Sequence, residues 1–241
     1  MSGSWKSTAR TYAISTREVL KNVAAYFPYS LIETLTNYAI LRTSDVLLPK
    51  DLRAGISKTA YFEAVYNHLP SDKPLLFVEF GCYKGKSIRK WAQMDQHPDS
   101  RFVGFDSFVG LPQQWRHRPA GHFNRAGEIP EIDDPRVTFV KGWFNETLPD
   151  WLGDNEFSDE ATTLIHIDAD LYSSCSYILT SLHNVLPCYY VMFDEYGAGE
   201  ARALRDYLVA YGAGFSAILG RKRRTFSRVP GQVFGKITTT P

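Results

Sequence analysis

Five short apolar runs constrain what this chain can fold into: LLFVEF (75–80), RFVGFD (101–106), VTFVKG (137–142), TTLIHID (162–168) and YYVMFD (189–194). Strands that are apolar on both faces need cover on both faces. Strand–helix alternation supplies that cover in a parallel α/β sheet. Helical spacing follows four of the runs. It places Ile88, Trp91 and Ala92 inward after the first, a short helix near NETLPDWL after the third, Ile178, Leu182, Val185 and Leu186 after the fourth, and Leu204, Tyr207, Leu208 and Tyr211 after the fifth. FSAILG and QVFGKI close the chain with no helix between them, which predicts an antiparallel hairpin at the end of the sheet.

The first seventy residues read as helical. Ser15 and Glu18 have capping-box spacing ahead of Val19, Leu20, Val23, Ala24 and Phe27, and Pro28 ends that helix. Ser30 and Glu33 repeat the signal before Leu31, Leu35, Tyr38 and Ala39. A third helix carries Tyr61, Phe62, Val65 and Leu69 and is closed by PSDKP (70–74). Residues 1–70 are therefore expected to form a helical lid or extension, and residues 71–241 the main domain.

With 241 residues, 44% hydrophobic and 22% charged, one decorated α/β domain fits better than two complete ones. A net charge of +1 offers no electrostatic preference for nucleic acid. Cys82, Cys175 and Cys188 lack metal-ligand spacing, and so sparse a count fits a reducing compartment. MSGSWKSTARTYAIS has no long apolar core, and no apolar run approaches membrane-span length. The expected location is cytoplasmic.

In open α/β sheets ligands bind beyond the carboxyl ends of the strands. Four of the five ends carry an acid: Glu79, Asp106, Asp168 and Asp194. The first strand runs into VEFGCYKGKS, where Gly81 and Gly85 permit a tight turn close to a ligand. A dinucleotide site wants G-x-G-x-x-G and no acid beside its pyrophosphate. This loop has G-x-x-x-G behind Glu79, which suits a cofactor with an ammonium group and no phosphate, S-adenosylmethionine. Asp106, ending the next strand, is placed to accept ribose hydroxyls. The alternative is a tight turn with a surface acid.

VEFGCYKGKSI, FVGFDSFVGLP, VKGWFNETLP, LIHIDADLYSS and VMFDEYG occur in this order. Together they resemble the macrocin-type O-methyltransferases, a bacterial family that includes the mycinamicin and novobiocin sugar O-methyltransferases. The resemblance covers roughly Leu75 to Leu208. It implies the class I methyltransferase fold, a Rossmann-like sheet of seven mostly parallel strands with the last antiparallel. It also implies that Glu79, Gly81 and Ser87 meet the methionine end of the cofactor and that Asp106 binds the ribose. Gly142 and Trp143 would border the adenine. Asp168 would be the first metal ligand, in contact with the cofactor and part of the catalytic set, and Asp194 and Glu195 would complete a magnesium site. Asp170 matches the acid proposed as the base in relatives. Those enzymes read DDYG where this chain reads DEYG, so Glu195 is one methylene longer than their aspartate.

A divalent cation is thus expected to hold the carboxylates of LIHIDADLYS, because clustered acids raise one another's pKa unless a cation compensates them. An all-oxygen set suits magnesium. Asp170 has the alternative of capping the following helix, Ser173 and Ser174 read as caps, and His166 reads as a structural histidine or a support for the metal site. Residues 107–134 hold Trp115, Arg116, His117, Arg118, His122 and Arg125 and read as a substrate lid closing on the N-terminal helices, or as a surface loop. RKRR (221–224) reads as a hairpin tip, with an anionic substrate patch as the alternative.

The expected activity is O-methylation of a hydroxyl on a sugar, glycoside or saccharide-containing metabolite. A catechol-type enzyme acting on a small aromatic diol is the alternative. A nucleoside-binding module without turnover and a nicotinamide dehydrogenase fit the acids and the loop less well. Partners would be a small-molecule or oligosaccharide acceptor, with a homodimer left open and no nucleic acid.

Overall fold

The computed structural model describes residues 27–222 and 229–239. The chain divides into two compact units, Met1–Thr36 and Asn37–Pro241. The helix expected after Ser15 lies outside the described residues, as does the second half of the RKRR run, residues 223–224. Helix α1 spans Tyr29–Thr43. It starts immediately after Pro28, whose carbonyl accepts from the amides of Leu31 and Ile32, so Ser30 lies inside the first turn and not at the cap.

The elements that follow are β1 (Asp51–Ala54), α2 (Lys58–Tyr66), β2 (Leu75–Phe80), α3 (Lys86–Met94), β3 (Arg101–Asp106), β4 (Val137–Lys141), α4 (Phe144–Asp154), β5 (Thr162–Ile167), α5 (Tyr172–Leu182), β6 (Cys188–Phe193), α6 (Glu200–Tyr211), β7 (Gly214–Lys222) and β8 (Gln232–Thr238). They build one sheet in the order β1-β7-β8-β6-β5-β2-β3-β4. Every pairing is parallel except those of β8, which runs antiparallel to both β6 and β7. The five apolar runs and the hairpin form as expected.

One strand corrects the expectation. The sheet has eight strands, because Asp51–Ala54 adds to the outer edge of β7 inside the stretch read as helical. Four residues with partly exposed side chains carry no apolar run, so the sequence gives this strand no signal. Helix α2 then starts at a true cap: the Ser57 hydroxyl accepts from the Ala60 amide at 3.0 Å.

Two apolar layers cover the sheet. Leu76, Val78, Phe80, Ile165, Ile167, Val191 and Phe193 pack with Ile178, Leu182 and Leu204 of α5 and α6. Leu75, Phe77, Leu164, Met192 and Phe234 pack with Tyr61, Phe62 and Val65 of α2 and with Ile88 and Trp91 of α3. Among the described residues no helix is long and apolar enough to cross a membrane.

Candidate active site

A strand alternates its side chains between two faces, so the second apolar layer continues past its last hydrophobic residue. Beyond Phe77 comes Glu79, beyond Leu164 comes His166, beyond Met192 comes Asp194, and antiparallel β8 contributes Gln232 ahead of Phe234. All four are buried. The pleat therefore lays a polar row across the carboxyl end of the sheet, beneath α2.

The row is internally bonded. His166 Nδ1 lies 2.9 Å from Glu79 Oε1, and its Nε2 lies 3.7 Å from Asp194 Oδ1, an ionic contact beyond hydrogen-bond reach. Gln232 donates to Asp194 Oδ1. The Arg221 guanidinium bonds Gln232 Oε1 at 2.7 Å and the Ile56 carbonyl at 2.9 Å. Lys58, the first residue of α2, reaches over the row and sets its ammonium 2.8 Å from Asp194 Oδ1 and 3.4 Å from Asp168 Oδ2. Burial alone would discharge these groups, but their pairing opposes it. The carboxylates around Lys58 hold its ammonium above the usual lysine range. Burial disfavours the His166 imidazolium, yet Asp194 and Glu79 outweigh that and raise it to about 9. Burial likewise raises Asp194, but His166 and Lys58 pull it below the ordinary carboxylate range. Burial and the Asp194 charge push Asp168 up.

The expected metal triad is not the set that gathers here. Glu195 instead faces the 107–134 segment, with Oε2 3.6 Å from the Arg116 guanidinium. The groups that do converge are His166, Asp168 and Asp194, with candidate donor atoms within 4.8 Å of one another. Lys58 holds the oxygens of two of them. A hard ion such as magnesium needs oxygen donors and near-octahedral freedom. The Lys58 ammonium, already set against oxygens of both Asp168 and Asp194, does not fit such an ion.

Beside the polar row lies a cavity of about 490 Å³, a size suited to a cofactor and a small acceptor. Its walls include Gly81, Tyr83, Asp106, Trp143, Asp168, Asp170 and Glu195. Gly81 has φ +95°, and a Cβ there would stand 2.1 Å from the Asp168 carbonyl oxygen. The cofactor loop and the Asp168 turn can meet only through a glycine. Asp106 fastens the same loop: Oδ2 accepts from the amides of Cys82 (2.9 Å) and Tyr83 (2.8 Å), and Oδ1 from Phe108 (2.7 Å). A carboxylate offers about four acceptor directions, so one remains for a ligand hydroxyl. Trp143 occupies the N-cap position of α4 and joins the wall with Phe144. Gly142 precedes it at φ +150°, with Thr147 filling the place of a Cβ. Glu79, Asp194, Ser87 and Gly142 do not line the cavity. Glu79 and Asp194 point into the buried row, and Ser87 sits in the first turn of α3.

Asp170 lines the cavity at φ +61°, a left-handed conformation uncommon outside glycine. It caps nothing at the N-cap position of α5, which belongs to Leu171 with no capping side chain. Ser173 and Ser174, expected as caps, lie within the helix and face the cavity. Burial first, then the Glu195 charge, push the Asp170 carboxyl up to about 7 against the pull of Arg118 and Arg116.

The 107–134 segment lacks regular strands and helices but is internally ordered. Trp115 and Arg118 exchange backbone bonds at 2.9 Å. The guanidiniums of Arg116 and Arg118 stack on Trp115 at 4.7 and 4.9 Å. Phe123 meets Tyr83 edge-on at 5.4 Å across the cavity mouth, and Leu111, Pro112 and Arg118 complete that wall.

Asp106→Ala is expected to weaken S-adenosylhomocysteine binding in calorimetry by about 1.5–3 kcal/mol through lost charge-assisted bonds. It should also loosen the loop, since three amides lose their acceptor. Unchanged affinity would remove Asp106 from the cofactor site.

The macrocin-O-methyltransferase (TylF) family model matches residues 125–212. The 8-demethyl-8-(2,3-dimethoxy-alpha-L-rhamnosyl)-tetracenomycin-C 4'-O-methyltransferase of Streptomyces olivaceus is 29% identical over 162 residues, which are 56% of this chain and 58% of that protein. The match therefore spans less than two thirds of that relative. The apo structure of CalS11, described as a TDP-rhamnose 3'-O-methyltransferase of calicheamicin biosynthesis, superposes with a TM-score of 0.50 at 20% identity, covering 86% of this chain and 94% of that one. The O-methyltransferase NovP aligns at 22% identity with a TM-score of 0.48, over 75% of this chain and 76% of its own. The resemblance drawn from the sequence motifs stands as a similarity over these segments, and the fold matches that of the CalS11 structure.

Proposed function

We propose that this protein is an S-adenosylmethionine-dependent O-methyltransferase whose acceptor is a hydroxyl on a sugar carried by a small molecule. One observation carries the reading. One cavity is lined by the Gly81 turn, Asp106 and Asp170, the last a carboxyl raised to about 7. The sugar as acceptor rests on the relatives, whose descriptions name rhamnosyl and TDP-rhamnose substrates.

The residues present suit the cofactor. Asp106 keeps an acceptor direction for a ribose hydroxyl, and Tyr83, Trp143 and Phe144 offer aromatic surface for an adenine. The buried Glu79 Oε2 has no hydrogen-bond partner, which adds negative potential close behind the turn. When bound, S-adenosylmethionine supplies an electrophilic methyl group. This chain's part is to bind, orient and deprotonate. Asp170 accepts the proton of the acceptor hydroxyl, and a base near neutral pKa is suited to that transfer. Arg118, on the same wall, can donate to acceptor oxygens. The magnesium expected from the sequence has no step here, because Lys58 and His166 already engage the carboxylates it would use.

Mass spectrometry after incubation with S-adenosylmethionine and a panel of glycosides, nucleotide sugars and catechols tests the reading. A methylated sugar is the expected product. Methylation of catechols alone would establish the aromatic-diol alternative, and binding of nicotinamide dinucleotides in place of S-adenosylhomocysteine would overturn the methyltransferase assignment.

A further inference from the structure

The carboxylates of LIHIDADLYS and VMFDEYG have a cation of their own, and it is a side chain. We propose that the Lys58 ammonium is a built-in counter-ion that takes the place of a divalent metal between Asp168 and Asp194, so that the site binds no divalent cation and works without one. Lys58 is then a positioning residue, acting through Asp168 on the cavity wall.

Three features of the geometry support this. The ammonium contacts both carboxylates, at 2.8 and 3.4 Å. A divalent ion bound to the same oxygens would stand within a few ångströms of that ammonium and be repelled by it. The third converging group, His166, is held by Glu79 at 2.9 Å through Nδ1 and has its other nitrogen 3.7 Å from Asp194 Oδ1, so its ring is already tied into the buried row. Finally, Glu195, which a metal would need as the remaining carboxylate, is turned to Arg116. The first residue of a helix is also an unfavourable place for a cation, since the helix N-terminus carries partial positive charge. At Lys58 the facing carboxylates outweigh that cost. The stem lies along α2 with the ammonium 5.5 Å from the Phe62 ring centre, so its reach is guided by packing as well as by charge.

The inference rests on the methyltransferase reading only for the link to turnover; the cation-binding part stands alone. Mn2+ binding followed by paramagnetic resonance reads that part directly. The wild-type protein, stripped of metal, is expected to leave added Mn2+ free at millimolar concentration. Lys58→Met keeps the stem and removes the charge, leaving Asp168, Asp194 and His166 to gather a cation, and is expected to bind Mn2+ at least roughly tenfold tighter than wild type. Lys58→Arg restores a cation and is expected to restore the wild-type behaviour. Circular dichroism and S-adenosylhomocysteine binding confirm that each variant is folded. Stoichiometric Mn2+ binding by wild type, or no gain in a folded Lys58→Met, overturns the proposal. With an acceptor in hand, turnover of wild type is expected to survive exhaustive chelation, and loss of activity on chelation with recovery on magnesium overturns it equally. Absence of any methyl transfer, with the Mn2+ results as expected, would count against the proposed function and leave the counter-ion in place.

Discussion

Asp170→Asn is expected to cut turnover by roughly 10²–10⁴-fold, the usual worth of a positioned base, while S-adenosylhomocysteine affinity changes little. The amide is nearly isosteric and tolerates left-handed backbone at φ +61°, so geometry survives and only proton acceptance is lost. The pH dependence separates this role from a packing role. With the carboxyl near 7, wild-type turnover should rise with pH through about 7 and level off above it, and the variant should lack that limb. Stability should move the other way. An aspartate in the unfolded chain titrates near 3.9. Between there and about 7 the folded state binds the extra proton, so wild-type stability falls as pH rises across that window. At pH 8 the variant, with no charge to bury, should be the more stable by about 1–3 kcal/mol in urea unfolding. Near-normal turnover with an unchanged pH profile would reduce Asp170 to a feature of the turn.

Gly81→Ala is expected to be strongly destabilising. The new Cβ would fall 2.1 Å from the Asp168 carbonyl oxygen and 2.8 Å from its carbon, and both belong to backbone that cannot swing aside. The alanine would also sit at φ +95°. Strain of that kind costs about 1–3 kcal/mol, and the forced separation of the two loops brings the expected total to roughly 3–5 kcal/mol. Gly212→Ala is the control. Its φ is +66° with nothing within 4 Å of the added carbon, so it should cost only about 1–2 kcal/mol. Similar losses at both positions in urea unfolding would show that the collision at Gly81 is relieved more easily than the geometry indicates.

The sequence exposes β2, β3, β5, β6 and the β7–β8 hairpin because each is an apolar run that a sheet must bury. β1 stays hidden, since an edge strand of four residues reads DLRA and its pairing is decided by the free edge of β7, far along the chain. Asp106, Asp168, Asp170, Gly81 and Trp143, which the motifs single out, line the cavity. Glu79 and Asp194 do not, for a reason already in the period of two: Glu79 follows Phe77 and Asp194 follows Met192 onto the face that α2 and α3 cover. Lys58 carries one clue in the sequence, a cation directly after the Ser57 cap, where the helix end disfavours it. What sequence order cannot supply is the distance between that cation and carboxylates more than a hundred residues away.

The small edge strand β1 also sets an order of events in folding. Its partner is β7: Asp51 aligns with Leu219 and Ala54 with Lys222, a closure across most of the chain. Such long-range pairings carry a large entropy of loop closure and are slow to form. β1 ends four residues before Lys58, so its pairing with β7 and the placing of the ammonium against Asp168 and Asp194 are expected to be coupled. Until then the acids of β5 and β6 share a half-built interior without that partner, and they should protonate to tolerate it. The slowest refolding phase should therefore respond to pH, as the docking of an edge and the recharging of a buried pair become one step.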